Sequence, residues 1–137
     1  MPRMDSEYSM GYQLTMELLR EQKQFTAIAG QNDMMAIGAI DALEKSRIRV
    51  PKDVSVIGCD DIFYSSIRRL SLTTIDHFVA LKGRDACDII IRKITTNDQF
   101  YTGLQPTSLY NIEYTPKLIA RKTTTYAKTS GISKPVK

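Results

Sequence analysis

The chain has no tryptophan, one histidine, two cysteines and no acidic residue after Glu113. Each scarcity excludes something. His77, alone, has no companion histidine with which to hold a metal, and no cofactor is implied. Cys59 and Cys87 show neither metal-ligand spacing nor an obvious disulfide partnership, which fits a reducing, cytoplasmic compartment. The seven glycines are scattered, so no glycine-rich phosphate loop is present. We find no apolar run of membrane-spanning length, no signal peptide and no internal repeat, and expect no membrane partner. The formal charge of +4 is misleading. Six of the nineteen basic residues (Lys117, Arg121, Lys122, Lys128, Lys134, Lys137) follow Glu113, leaving thirteen bases against fifteen acids in the body. That balance does not make the usual basic nucleic-acid surface, and the tail reads as a solvated, frayed end.

What is present is a core-forming chain of 137 residues, 42% hydrophobic, enough for one domain. Its organising stretch runs from Thr26 to Asp61. Thr26–Gly30 has the length of a buried strand, and Met34–Lys45 reads as a helix with Asp33 as N-cap. Pro51 closes a turn, and Val54–Gly58 is a second short β-branched run ending at Cys59-Asp60-Asp61. Strand, helix, strand is one βαβ unit, so the two strands are expected to be parallel neighbours. Asn32 and Asp60 then sit just past the carboxyl ends of strands, where open parallel sheets bind ligands.

Before this unit, Met10, Leu14 and Leu18, with Leu19 beside them, mark the inward face of an amphipathic helix starting at Tyr8. A helix there normally returns from a strand, so the chain is expected to begin inside a domain. The second helix is apolar on more than one side, and Gly38 in its interior calls for close approach of another backbone. Its surplus stripe is covered either by a partner subunit or by another internal element. Beyond Asp61, Leu72–Ile75 is a third strand candidate ending at Asp76-His77. Phe78–Ile94 is expected to be a helix with Val79, Cys87, Ile90, Ile91 and Ile94 inward. Ser108–Tyr114 and Lys117–Ala120 are strand candidates split by Pro116, and the tail beyond Arg121 is expected to be disordered.

Three strand ends thus carry Asn32, Asp60 and His77 over one sheet edge. Amide and carboxylate together suit a ligand rich in hydroxyls or amides. The local alternative is that Asn32 and Asp60 bond to turn amides while Asp33 and Asp61 cap helices. Catalytic readings are weaker. Asp60 and Asp61 are adjacent and diverge, unlike a facing acid/base pair, and nothing activates Cys59 or orients His77 toward it. The chain is not expected to be an enzyme.

The segments QNDMMAIGAIDAL, RVPKDVSVIGCDD, LTTID and IEYTPKLIARKTT, preceded by MGYQLTMELL, resemble successive signatures of the LacI/GalR (lactose-repressor/galactose-repressor) family of bacterial transcription regulators. The resemblance runs from Tyr8 to Thr124. It implies an α/β fold, a Rossmann-like parallel sheet flanked by helices, forming the carboxyl-terminal lobe of an incomplete periplasmic-binding-protein-like (type I) domain. By the same resemblance, residues 1–76 form that lobe, 77–115 cross into the other lobe, 116–123 return, and 124–137 are a disordered basic tail. Asn32 and Asp60 match positions that bind the effector, often a carbohydrate, with His77 a more variable third. Tyr8, Tyr12, Ile37, Asp41, Tyr64 and Arg68 fall on the homodimer surface. Operator DNA would be read only through an amino-terminal helix-turn-helix that this sequence lacks, and effector would act by shifting lobe orientation. With most of the first lobe absent, the isolated chain is expected to bind effector weakly. Two departures stand out: Leu70-Ser71 replaces the usual proline before L-T-T, and Cys59 stands where an aromatic is common. A solute receptor of an ABC-type transporter and a ligand-free interaction domain are the rival readings.

Overall fold

Two glycines decide how the first two helices meet. A Cβ on Gly11 would lie 2.1 Å from the Met35 carbonyl oxygen, and one on Gly38 would lie 2.1 Å from that of Tyr8. The two backbones therefore touch where only hydrogen side chains fit. In a computed structural model describing residues 6–95 and 112–127, these glycines lie on α1 (Ser6–Arg20) and α2 (Asp33–Lys45). The close crossing changes which face of α1 is inward. Gly11, Thr15 and Leu19 are buried, whereas Met10 and Leu14, expected inside, are about half exposed. At Gly11 and Thr15 small residues, rather than large apolar ones, line the crossing because the axes approach too closely there for leucine, while Leu19, further along the helix, reaches the core. The expected close approach at Gly38 is confirmed, and α1 is the element that covers the second side of α2.

The other face of α2 covers the sheet. Ala36, Ile40 and Leu43 cluster with Leu19, Ile48, Val54, Val56 and Leu72, all buried, with Phe25, Ile28 and Ile37 packed around them. Burying one such aliphatic side chain contributes about 1.5–3 kcal/mol, so this cluster dominates the stability of the fold. β1 (Ala27–Ala29) and β2 (Ser55–Ile57) pair in parallel, Ile28 opposite Val56, as the βαβ pattern requires. β1 is not the buried strand expected: Ala27 and Ala29 are exposed, since β2 is its only partner among the described residues. β3 (Thr74–Asp76) follows β2 through the parallel bridge Ile57–Thr73, and β4 (Lys117–Ile119) pairs antiparallel with β3.

The segment after β4 corrects the expectation of a loose tail beyond Arg121. Thr123 is buried, accepting the Val56 N–H through its carbonyl and the Thr73 N–H through its hydroxyl, which in turn donates to the Val56 carbonyl. The Thr124 hydroxyl bonds that of Thr73, and the Thr125 N–H donates to Ser55 Oγ. Threonine suits this stretch because its hydroxyl stitches neighbouring strands where a ladder is incomplete. Only residues 128–137 of that basic tail lie outside the described residues.

The chain divides into two compact units, one running to Asp76 and resuming at Lys117, the other His77–Pro116. In the second, α3 (Val79–Thr95) buries no residue, and Val79, Ile90, Ile91 and Ile94, expected inward, are exposed, Ile94 by 74%. Among the described residues of that unit, nothing covers its apolar stripe. The strand expected over Ser108–Tyr114 lies mostly outside the described residues, and 112–116 are irregular. The Tyr114 hydroxyl donates to Asp85 on α3, an acceptor that pushes the phenol pKa up, while its ring lies against Phe78 and under the Lys82 ammonium.

Candidate functional site

The carboxyl edge of the parallel strands is built by four backbone bonds. Gly30 N–H donates to the Ile57 carbonyl (2.8 Å) and Asp33 N–H to that of Cys59 (2.8 Å). On the other side, Gly58 N–H reaches Thr73 (2.9 Å) and Asp60 N–H reaches Ile75 (2.9 Å). The loops after β1 and β2 are thereby fixed to each other and to β3, so Asn32 and Asp60 stand on neighbouring strand ends. His77 directly follows β3 and begins the second unit.

Asn32, not Asp33, caps α2. Its extended backbone (φ −142°) precedes the helix, and its Oδ1 accepts the Met35 N–H at 2.9 Å. The cap uses the amide oxygen and leaves the NH₂ group with two donors directed by a fixed rotamer. Asp60 holds φ 110°, outside the region that even aspartate visits at little cost. Such a conformation costs on the order of 1–3 kcal/mol and persists only where the surroundings over-determine it. Here they do: the N–H groups of Gly58, two residues earlier, and of Asp60 itself are bonded to the Thr73 and Ile75 carbonyls. Asp61 (φ 48°) also departs from its expected capping role. Ile62 precedes the 3-10 turn Phe63–Ser66 without any side-chain cap, and Asp61 instead accepts from Arg121 at 2.6 Å. The same guanidinium donates to the Leu72 carbonyl (2.8 Å), so one planar fork joins the loop to the chain just before β3.

Asp33 is the residue that sequence reasoning misjudged most. Fully buried, it accepts from Ile62 N–H (2.9 Å), Ser65 Oγ (2.5 Å) and Thr74 Oγ (2.5 Å). Gly58 makes the space: a Cβ there would sit 2.2 Å from Asp33 Oδ1. The signal was the coincidence of Ser65, Thr74 and Gly58, all small, but it is visible only once they are known to converge. Cys59 is half-buried, and burial, followed by the carboxylates of Asp60 and Asp33, pushes its thiol pKa up. That environment disfavours a thiolate nucleophile.

Four of the residues expected on a dimer surface lie along the α1–α2 seam. The Tyr8 hydroxyl donates to Asp41, Tyr12 carries the Lys45 ammonium over its ring, and Ile37 packs against the core. Tyr64 and its neighbour Phe63 are exposed on the 3-10 turn, their rings edge to face, with Arg68 in the turn that follows.

Comparison with known proteins decides the family. Residues 2–124 match the periplasmic binding protein-like domain. The HTH-type transcriptional repressor PurR of Haemophilus influenzae is 43% identical over 112 residues, covering 82% of this chain and 32% of that protein. The chain belongs to the LacI/GalR family. The ribose operon repressor of Escherichia coli K12 is 34% identical over 118 residues, 85% of this chain and 33% of its own length. A crystal structure of the Lac repressor dimer bound to operator and the anti-inducer ONPF superposes with a TM-score of 0.66 at 34% identity, covering 85% of this chain and 37% of that one. The chain thus spans about a third of the length of the curated relatives it matches. Its α/β architecture is the family's, and these LacI/GalR relatives are repressors, not enzymes. No helix among the described residues is long and apolar enough to cross a membrane.

Proposed function

We propose that this chain is the effector-binding and dimerisation part of a cytoplasmic LacI-type transcription regulator that senses a small molecule, a carbohydrate by chemistry. The observation that carries it is the pair Asn32 and Asp60, held on adjacent strand ends by backbone bonds on both sides, with Asp60 kept at φ 110°. The amide donors of Asn32 and the acceptor oxygens of Asp60 match vicinal hydroxyls, and a site built this way rejects ligands lacking them. His77 adds a third polar group at the end of β3. Residues 1–76 form the carboxyl-terminal lobe with the return strand 116–123, and 77–115 belong to the other lobe. The face containing Tyr8, Tyr12, Ile37, Asp41, Tyr64 and Arg68 pairs two copies, and effector shifts the population of lobe orientations that set operator affinity. Operator DNA is contacted only through a helix-turn-helix outside this sequence.

Names among the relatives make ribose the first probe. Titrating the 137-residue chain with ribose, arabinose, lactose and free nucleobases, followed by amide NMR, is expected to give weak, sugar-selective shifts at Gly30–Asp33 and Gly58–Asp61. Equal response to sugars and nucleobases, or shifts elsewhere, would sink the carbohydrate reading. Tight calorimetric binding by the isolated chain would refute the view that half the cleft wall is missing. The second reading, a solute receptor, loses ground to the repressor relatives named above.

A further inference from the structure

Asp33 is buried, carries no direct role in the effector reading and yet touches the loops that carry Asn32 and Asp60. Its backbone N–H holds the Cys59 carbonyl beside Asp60, and it is the first residue of the helix that Asn32 caps. One side-chain oxygen accepts from the 3-10 turn through both Ile62 N–H and Ser65 Oγ, and the other accepts from Thr74 at the start of β3. The turn carries Phe63 and Tyr64 outward, Phe63 exposed by 78%. Ser65, between those aromatics and Asp33, is fully buried. It also accepts the Leu72 N–H through its carbonyl, so the turn has few ways to move without moving Asp33.

We propose that Asp33 is a positioning residue that couples the Asn32–Asp60 wall to the aromatic Phe63–Tyr64 turn, so that the two respond to a perturbation as one element. The inference rests on the proposed function for the meaning of the wall, but the coupling itself needs no ligand. A carboxyl whose two oxygens are held by different elements transmits displacement, because the two hydroxyl bonds are short and buried, where replacing them with water is not an option. Energetic coupling between sites is reciprocal. Loosening the turn must therefore loosen the cap, and loosening the cap must loosen the turn.

The test is native-state hydrogen exchange on the full 137-residue chain. Ser65→Ala removes one bond at the turn without touching Asn32. It is expected to speed exchange of the Met35 amide at least tenfold beyond any change at Leu43 and Val56, which report global opening. Conversely, Asn32→Ala is expected to speed the Ile62 amide, and Asn32→Asp, which retains a capping oxygen, to restore it. In Asp33→Ala, which removes both acceptor oxygens, Ser65→Ala should no longer affect Met35. Acceleration confined to residues 62–66 in Ser65→Ala, or uniform acceleration of all amides, would overturn the coupling. A ribose, arabinose and lactose titration of the same samples separates the two claims. Absence of any shift at Asn32 and Asp60 with exchange coupling intact counts against the carbohydrate reading alone.

Discussion

Replacing Gly38 with alanine tests the packing account where two effects have opposite signs. Helix preference alone favours alanine by about 1 kcal/mol. The structure opposes it: the new methyl would sit 2.1 Å from the Tyr8 carbonyl oxygen and 2.9 Å from the Tyr12 nitrogen, both backbone atoms that cannot rotate away. A carbon and an oxygen rest at roughly 3.3 Å or more, so α1 and α2 must part by about 1 Å. A gap of that size forfeits roughly a quarter to a half of each dispersion contact along the seam, including those of Thr15 and Leu19. Overpacking of this kind costs about 1–3 kcal/mol, at the upper end where backbone meets backbone. The net is a loss of about 2 kcal/mol, read as a lower urea midpoint by circular dichroism. Gly11→Ala, against the Met35 carbonyl, should cost about the same. The double variant should cost less than the two together, because one separation relieves both clashes. Stabilisation by Gly38→Ala would refute the close crossing.

Four further outcomes are expected. The acceptor Asp41, with lesser contributions from burial and charge, raises the Tyr8 phenol pKa from 10.0 to about 12; this bond's stabilisation is complete below the unfolded pKa and is lost as pH rises through the folded one. Ultraviolet titration at alkaline pH should find that late-ionising tyrosine move back toward 10 in Asp41→Ala. Arg121→Ala should cost about 1–2 kcal/mol, since the Asp61 pair is partly solvated, and Arg121→Lys should recover only part because lysine lacks the fork joining Asp61 to Leu72. Asn32→Ala should lose about 1 kcal/mol from the helix cap in thermal unfolding, whereas Asn32→Asp should fold normally and bind no sugar. Asp60→Gly should hold or raise the melting temperature, since relief of about 1–3 kcal/mol of strain offsets about 1 kcal/mol of added chain entropy.

The elements set by periodicity were legible: the βαβ unit, the α2 boundaries and the α3 span follow from apolar spacing and turn residues that act locally. The polar roles were not. Asn32 and Asp33 are both good capping residues, and adjacency gives no way to choose between them. The choice is made by Ser65 and Thr74, more than thirty residues away, which claim the Asp33 carboxyl and leave Asn32 to the helix. Arg121 selects Asp61 across sixty residues in the same way. The inward face of α1 was misjudged because hydrophobicity points to Met10 and Leu14, while a close crossing selects for the smallest residues. Thr123 looked like tail because three threonines carry little hydrophobic signal, yet each hydroxyl or amide finds a strand. For α3 the pattern was read correctly as amphipathic, but a pattern does not say what covers the apolar stripe.

The central claim is that Asn32 and Asp60 form the effector wall, and amide NMR of the chain with the sugar and nucleobase panel tests it most directly. The account predicts that at least one sugar shifts the Asn32 side-chain amide and the Asp60 backbone amide together, and that Asp60→Ala abolishes both while leaving the Leu43 and Val56 signals in place. A panel that leaves both residues silent, or a sugar response that survives Asp60→Ala, would contradict it.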